Sequence, residues 1–506
     1  MASEPTAVHV RPASRSVAAV ADSAARWGMF LVAAVLVAAT LNHVFSEKIG
    51  VNRGLGWDGR HYGAWAVDFH GEVLSKGLNA YYAQRLLPSA TVHYSLRLLG
   101  IEPNVQNVIN GFGVLNIACL TLCAWLWVLT ARHLRVERAG LILGFIGLFV
   151  NFFVLKWSPY YPVLTDVPTY LVGFLTIYFY LTGRRGALLA TTILSSFMWP
   201  TALYLGALLL LFPREPAIDT GAPARHAALP IAVALMPVAF LLGLTGYLGW
   251  IGWEIPYGVR QPIRWMLPLS VALMLGYVFF ACWSLFNNQK LFDIRYWKRR
   301  LLSPDVYVVV AALVALKILL SMISTEPPSL ENEKLHVAVM AMTGVARPGA
   351  FFIPHALVFG PIALLALIAW RPTVRLIRQH GIGLSLAIAL GVLVGIKSES
   401  RNLVNILPLV MPFLVLACTK LARQPGFLWG FFVVSLAFSK IWLRINVSSD
   451  PNTWPNRLFW TDGPWIPTPA YFLQAVLVVL WAAILWLSYR SAGGDARAGS
   501  VFRSKR

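Results

Sequence analysis

The chain has 506 residues, of which 58% are hydrophobic and 12% are charged, with 42 Lys and Arg against 21 Asp and Glu. Soluble domains carry about 25% charged residues, so the composition excludes soluble globular, disordered and fibrous proteins. The net charge of +21 falls mainly in short loops between apolar segments, so it indicates membrane topology and no nucleic-acid partner.

Apolar segments long enough to cross a bilayer recur along the chain and predict an all-α, polytopic transmembrane helical bundle. About twelve full spans are expected, over residues 27–46, 106–130, 139–155, 167–182, 229–252, 266–286, 306–323, 351–370, 381–397, 403–421, 427–445 and 468–489. The first span has no small-residue cleavage site after it and is expected to remain as an anchor. The four Cys residues fall inside apolar runs and are expected to be small buried hydrophobes.

Lys and Arg cluster in one set of loops, within residues 132–138, 184–185, 290–300, 371–378 and 497–506. Because such loops stay on the cytoplasmic side, we expect a multi-pass protein of the plasma membrane, the inner membrane of a bacterium, with both termini cytoplasmic. The predicted organisation is an N-terminal tail (1–26), one transmembrane domain (27–489) and a basic tail (490–506). The outside loops are then 47–105, 156–166, 253–265, 324–350, 398–402 and 446–467.

Residues 187–212 are apolar throughout but contain Pro200 near their middle. A single crossing here would place the basic cluster 290–300 outside, so the charge pattern needs an even number of passes. We therefore favour two half-length helices that turn at Pro200. A single tilted helix, with a neighbouring span misassigned, is the alternative.

The longest outer loop carries an acidic motif and a predicted interfacial helix. Residues 84–99 mix Leu with Arg and His in a pattern that suits a helix lying in the membrane interface. Upstream, Asp58 stands among Gly and aromatic residues. A carboxyl desolvated at the bilayer surface has a raised pKa and is a better general base. A solvated loop Asp is the alternative.

Two further outer loops place charged residues at span ends. Thr165 and Asp166 precede a span, where they could cap the helix or share a cavity with Asp58 above the turn at Trp199. Arg401 suits an anionic lipid headgroup because it binds phosphate bidentately; a local pair with Glu399 is the alternative.

Lys317 lies inside an apolar span and is a functional candidate, unless its long stem carries the charge to the interface. The last outer loop, 446–467, combines three Trp with Asp and Asn, which is typical both of sugar-binding surfaces and of interface anchors. The chain has no Walker loop, dinucleotide fingerprint or HExxH motif, so direct use of ATP or a nucleotide sugar is not supported.

Three motifs follow one another on the predicted outer side: Trp57-Asp58-Gly59 to Tyr62, Tyr81-Tyr82-Ala83-Gln84-Arg85-Leu86-Leu87-Pro88, and Leu164-Thr165-Asp166-Val167-Pro168. In order and sidedness they resemble GT-C type polytopic membrane glycosyltransferases, particularly the poorly characterised bacterial members. By motif order the resemblance covers residues 50–205.

The resemblance implies a GT-C-like enzyme that moves a sugar from a polyprenyl-phosphate donor to a glycan, lipid or protein acceptor on the extracytoplasmic face. It implies that Asp58 is the base of an inverting reaction and that Asp166 orients the base or the acceptor. The other expected substrate-binding residues are Arg85, Lys156, Tyr161, Trp199, Glu399 and Arg401, with the lipid-phosphate sugar as co-substrate. Asp58 lacks the acidic neighbour frequent in the family, which leaves a divalent metal open as a cofactor.

Two other functions are compatible with the same residues. A transporter or flippase of a lipid-linked sugar, or of another anionic lipid, would need charged residues at mid-membrane and often shows two related halves, which this chain lacks. A non-catalytic scaffold in an envelope-polysaccharide assembly would tolerate Asn at both Asp58 and Asp166.

Overall fold

The computed structural model describes residues 14–214, 223, 224, 226, 228–255, 260–326, 330–445 and 463–493, and side chains within these ranges except 14–26 and 326–334. Most of the sugar-binding candidate loop 446–467, the first 13 residues and the basic tail from residue 494 lie outside the described residues. The described chain is helical nearly throughout, which confirms an all-α, membrane-like class.

The helices of the first half of the chain are α1 (Ser14–Phe45), α2 (Gly59–Val67), α3 (Ala80–Ala83), α4 (Leu87–Leu98), α5 (Val105–His133), α6 (Arg138–Phe149), α7 (Ser158–Tyr160), α8 (Asp166–Thr182), α9 (Arg185–Ser195), α10 (Pro200–Leu211) and α11 (Ala228–Trp250). The helices of the second half are α12 (Leu267–Phe286), α13 (Ile294–Leu301), α14 (Pro304–Ile323), α15 (Leu330–Gly344), α16 (Ile353–Phe359), α17 (Pro361–Ile368), α18 (Trp370–Gln379), α19 (Ile382–Gly395), α20 (Leu407–Ala417), α21 (Thr419–Ala422), α22 (Phe427–Ser439) and α23 (Thr468–Ser491).

Six helices of the described chain are long and apolar enough to cross a membrane: residues 27–45 of α1, then α5, α11, residues 264–286 with α12, α14 and α23. A seventh span results if α6 and the helical segment Phe153–Tyr160, which meet at a 47° bend, are counted as one. The other predicted spans are helical but short or interrupted. The span 351–370, for example, is broken at Gly360 between α16 and α17.

The segment 187–212 is a helical hairpin. Arg185 at the start of α9 donates a hydrogen bond from its Nη2 to the carbonyl oxygen of Leu210 at the end of α10, 3.3 Å away. Trp199 is extended and Pro200 begins α10, because a proline at the first helical position needs no amide donor. Each arm rises about 17 Å, half of a full span. The segment therefore turns back at Pro200, as expected, and forms two helices that are each too short to span a bilayer alone.

The helix ends sort into two sets that match the predicted outer and inner loops. At one end, called the outer end, backbone hydrogen bonds join Ile49 to Tyr160, Leu87 to Phe197, Gly463 to Ser398 and Arg260 to Pro464. At the opposite end, called the inner end, Asp305 pairs with Arg300 and Arg185, Arg378 donates to the carbonyl of Asn287 and Arg423 pairs with Glu137. Segments predicted to lie on one side of the membrane therefore contact one another.

The outer end also contains structure that the sequence patterns did not predict. Strand β1 (Leu78–Asn79) pairs in parallel with strand β2 (Ser324–Glu326), which ties the first outer loop to the end of α14. Helix α15 fills much of the predicted loop 324–350. Ala338, Ala341 and Met342 of this helix are buried in one cluster with residues of α11 and α12, so tertiary packing stabilises a segment whose charged start obscured its helical period.

Candidate functional site

Arg401 lies between the two carboxylates that the sequence singled out. Its Nη1 is 2.7 Å from Oδ2 of Asp58, and its Nε and Nη2 lie 3.0 and 3.4 Å from the two oxygens of Asp166. The Asp166 side chain is 2% exposed, whereas that of Asp58 is 41% exposed. One carboxylate therefore anchors the guanidinium in the interior, and the other remains partly exposed.

Asp166 is the first residue of α8, and its carboxylate is directed to Arg401. Thr165, at the cap position, makes no side-chain capping hydrogen bond, so the simple capping explanation is wrong for this pair. Further along α8, a Cβ on Gly173 would lie 2.6 Å from the carbonyl oxygen of Asn405. The absence of a side chain at Gly173 lets the segment after Arg401 pack directly on α8.

Asp58 immediately precedes α2 and is held by contacts of its glycine neighbours with Tyr161. The amide of Gly59 donates to the Tyr161 hydroxyl at 2.8 Å. Gly56 has a φ of +68°, and a Cβ there would be 2.3 Å from the Tyr161 ring. Glycine is therefore required at position 56, and Tyr161 joins the site by supporting the loop that carries Asp58.

The expected rise in the pKa of Asp58 is wrong for the unliganded site. Burial alone raises this pKa, but the ion pair and hydrogen bond with Arg401, with smaller contributions from Arg85 and His61, together hold it below the usual range. Asp58 is therefore a carboxylate whose basicity is suppressed by Arg401. The sequence pattern could not reveal this because Arg401 is remote in the chain.

Trp199, at the turn of the hairpin, stacks on two arginines. The guanidinium carbon of Arg85 is 4.1 Å from the ring centroid and that of Arg401 is 5.6 Å away. Arg85 also stacks on Tyr81 at 4.5 Å and donates from Nη1 to the hydroxyl of Tyr62 at 3.2 Å. All three predicted residues, Arg85, Trp199 and Arg401, are thus brought together.

Two buried donors at this point lack acceptors. Within the described part of the chain, neither Nε of Arg85 nor Nε1 of Trp199 makes a hydrogen bond. A buried donor without a partner is costly and rare in folded proteins. The two unsatisfied donors therefore belong to side chains that stack on each other, Arg85 and Trp199.

Glu399 does not form the local pair with Arg401 that was the alternative to a functional role. Its carboxylate is 2.6 Å from the Lys397 ammonium and accepts a hydrogen bond from the side-chain Nδ2 of Asn402 at 3.0 Å. Burial raises the pKa of Glu399, but Lys397 and Arg401 together lower it below its usual range. Glu399 fixes the turn before Arg401, while Arg401 itself binds the two aspartates.

Lys156, expected to bind the donor phosphate, has partners elsewhere at the outer end. Its ammonium is 3.0 Å from the Glu47 carboxylate and donates to the carbonyl of Leu443. Glu47 in turn accepts the amide of Ile445 at 2.7 Å. These contacts tie three chain segments together and do not include the carboxylates bound by Arg401.

Two aromatic residues at the site were quoted in the sequence motifs but were not predicted as site residues. Tyr62 and Tyr81 complete the surroundings of Arg85. A signal for Tyr81 was available, because it precedes Arg85 by four residues in a chain segment with helical character. Tyr62 ends the Asp58 motif, and burial raises its pKa to about 12, so it stays protonated.

In the described residues, no three His, Cys, Asp or Glu side chains come together as metal ligands. The acidic groups Asp58 and Asp166 are bridged by Arg401. Comparison of the chain with protein-family models, with curated proteins and with solved structures finds no match.

Proposed function

We propose that the protein is a membrane glycosyltransferase that transfers a sugar from a polyprenyl-phosphate donor to an acceptor hydroxyl at the outer end of the bundle. The observation that carries the proposal is the accessible Asp58 carboxylate beside two arginines and unpaired buried donors on Arg85 and Trp199. This arrangement offers one carboxylate for a hydroxyl proton and cationic donors for a phosphate, on one face.

The donor phosphate is assigned to Arg85 and Arg401. Guanidinium groups bind phosphate oxygens through paired, charge-assisted hydrogen bonds and stay charged at any pH. Within the described residues, Arg85 donates one side-chain hydrogen bond, to Tyr62, stacks on two rings and leaves its buried Nε without an acceptor. Aromatic rings support the cation without competing for its hydrogen-bond donors.

In the proposed reaction, the acceptor oxygen attacks the anomeric carbon from the side opposite the phosphate, and the bond between that carbon and the phosphate oxygen breaks. The phosphate leaves with the bonding electrons and is neutralised by Arg85 and Arg401. The hydroxyl proton passes to Asp58, and the anomeric configuration is inverted. A lipid phosphate is a stable anion, so the leaving group needs cations more than a strong general acid.

Donor binding also controls the base in this proposal. Asp58 and the phosphate compete for Arg401, while Asp166 keeps the guanidinium in place from the buried side. Displacing Asp58 from Arg401 removes the main cause of its low pKa. Asp58 therefore becomes an effective base when the donor is present.

The finer topology is part of the same proposal. We propose a GT-C-like bundle of about twelve full spans with the α9–α10 hairpin, cytoplasmic termini and a plasma-membrane location. The charge pattern and the two separate sets of loop contacts support the sidedness of this arrangement. The helices too short for a single span then cross as interrupted segments such as α16 and α17. Helix breaks at membrane depth are tolerated where they are buried in protein.

A transporter or flippase of a lipid-linked sugar is the second candidate. The observation that favours it is the broken hairpin, whose turn at Trp199 lies beside the buried ion cluster, because transporters often bind substrates at discontinuous helices. Such a protein would move the lipid across the bilayer without cleaving it.

The test measures transfer of label from a mixture of polyprenyl-phosphate sugars by the purified protein in lipid. Asp58→Asn is expected to lower transfer by about 100-fold or more, the size typical of a lost general base. Asp68→Asn is the matched control, since Asp68 is exposed in the same loop and caps the local turn at Gly71. Movement of intact labelled lipid by both the wild type and Asp58→Asn, without transfer, would instead support the flippase.

A further inference from the structure

Lys317 places a positive charge on the exposed face of a transmembrane helix. It lies 13 residues after the start of α14 and six before its end, about 20 and 9 Å along the axis. The side chain is exposed, as are its apolar neighbours Val314 and Ile318, each more than half exposed. In a membrane this face would meet lipid, where an ammonium group is costly without a partner.

The ammonium is held beside the neighbouring helix and does not extend along α14 to its end. Its Nζ donates to the hydroxyl of Tyr204 on α10 at 3.1 Å and lies 5.2 Å from the centre of the same ring. Tyr204 carries no charge. The one acidic residue of α10 and α14 is Asp305, which pairs with Arg300 and Arg185 at the inner end. The cation is therefore oriented but not neutralised by these two helices.

This position is close to the candidate site along the protein surface. Tyr204 follows Trp199 by five residues on α10, about 7.5 Å of helix rise. Helix α14 also packs against α3, whose Tyr81 is 47% exposed and stacks on Arg85. The helices that carry Lys317 and Tyr204 therefore adjoin the segments that carry Tyr81 and Trp199.

We propose that Lys317 and Tyr204 form a binding site for the phosphate of a membrane lipid, with the lipid chains lying on the exposed apolar face of α14. An ammonium supplies the charge, the hydroxyl supplies a second hydrogen bond, and the surrounding Val and Ile side chains match a hydrocarbon tail. That this lipid is the sugar donor on its way to Arg85 rests on the proposed function; phosphate binding at Lys317 does not.

The experiment uses the full chain in phosphatidylcholine nanodiscs and a farnesyl monophosphate that carries a photoreactive diazirine, with labelled peptides identified by mass spectrometry. We expect labelling of α10 and α14, and about a tenfold loss of it in Lys317→Gln, the size of one charge-assisted hydrogen bond. Lys317→Arg should retain most labelling, and Tyr204→Phe should lose part of it. Lys76→Gln, an exposed lysine of the outer loop, is the matched control.

Equal labelling of the wild type and Lys317→Gln would overturn the inference, as would equal labelling by the corresponding farnesol probe. Competition by inorganic phosphate as strong as that by unlabelled farnesyl monophosphate at the same concentration would assign the site to free phosphate, and loss of a dimer in Lys317→Gln without a change in labelling would assign it to a second copy of the chain. Both results contradict a lipid site.

The transfer assay separates this inference from the proposed function. If both are right, Lys317→Gln raises the KM for the lipid donor and leaves kcat unchanged. Charge-dependent labelling in a wild-type protein that transfers no sugar supports the lipid site and contradicts the glycosyltransferase. Normal transfer with labelling that ignores Lys317 contradicts the lipid site alone.

Discussion

Arg85 and Arg401 lie against the same indole ring, that of Trp199, with guanidinium carbons 4.1 and 5.6 Å from its centroid. Two like charges this close repel each other unless anions or π faces stabilise them. Asp58 and Asp166 neutralise Arg401, whereas aromatic rings and one tyrosine hydroxyl surround Arg85. Arg401 thus makes the direct ion pairs of the site, whereas Arg85 interacts with the two carboxylates at longer range.

The ring of Trp199 should be needed for donor binding. Trp199→Ala removes both cation–π contacts, each worth about 1 to 2 kcal/mol when desolvated, so we expect the KM for a lipid-phosphate donor to rise about 10-fold or more. Trp199→Phe keeps a smaller ring and should lose less. Trp429→Ala on α22, where the side chain is 75% exposed, is the control; equal effects at the two positions would contradict a role in binding.

Loss of the Asp166 carboxylate should lower the free energy of unfolding more than loss of the Asp305 carboxylate, which forms an ion pair at the inner end. Asp166→Asn leaves the Arg401 cation without its buried partner, which we expect to cost about 3 kcal/mol in the free energy of unfolding. Asp305→Asn breaks a more exposed pair and should cost about 1 kcal/mol or less. Denaturant titration followed by tryptophan fluorescence measures both, and a loss in Asp166→Asn no larger than in Asp305→Asn would refute the anchoring role.

The pH dependence of stability should report the ion pair of Asp58. Its folded-state pKa is lowered, so its contribution is fully present above the unfolded pKa of about 4 and is lost as the pH falls through the lower folded value. The wild type should therefore be more stable than Asp58→Asn at pH 6 and 7, and the difference should disappear in strong acid. A stability difference that grows as the pH falls below 4 would show that the folded pKa is raised.

The two ends of the bundle should face opposite sides of the membrane. Ser75 is exposed at the outer end, and Gly186 is exposed at the inner end with open space around it. In intact cells, a membrane-impermeant thiol reagent should label Ser75→Cys at once and Gly186→Cys only after permeabilisation. The native cysteines are buried, so background labelling should be low. Labelling of both variants in intact cells would refute the proposed orientation of the two ends.

The helical hairpin could be predicted from the positions of charged residues and proline. Pro200 and the basic cluster near residue 300 were enough to predict that residues 187–212 turn back, because both a proline break and loop charge are local properties of the sequence. Helix α15 and the pairing of β1 with β2 were not predictable in this way. Both depend on surfaces contributed by α11, α12 and the first outer loop.

In the candidate site, too, residues could be predicted from the sequence but their partners could not. Residue type, together with the resemblance to GT-C enzymes, selected Asp58, Asp166, Arg85, Trp199 and Arg401, because charged and aromatic groups at the ends of apolar spans are functional candidates. It also selected Lys156, whose partners are Glu47 and Leu443.

The all-α, membrane-like class was thus determined by the sequence through hydrophobicity, and the sidedness of the loops and the site residues were predicted from charge and residue chemistry. Only the tertiary structure decided that Arg401 binds both aspartates, that the pKa of Asp58 falls and that Nε of Arg85 has no acceptor among the described residues. The physical reason is that ion pairs and pKa values depend on distances of a few ångströms between residues remote in the chain, which packing at positions such as Gly56 and Gly173 sets.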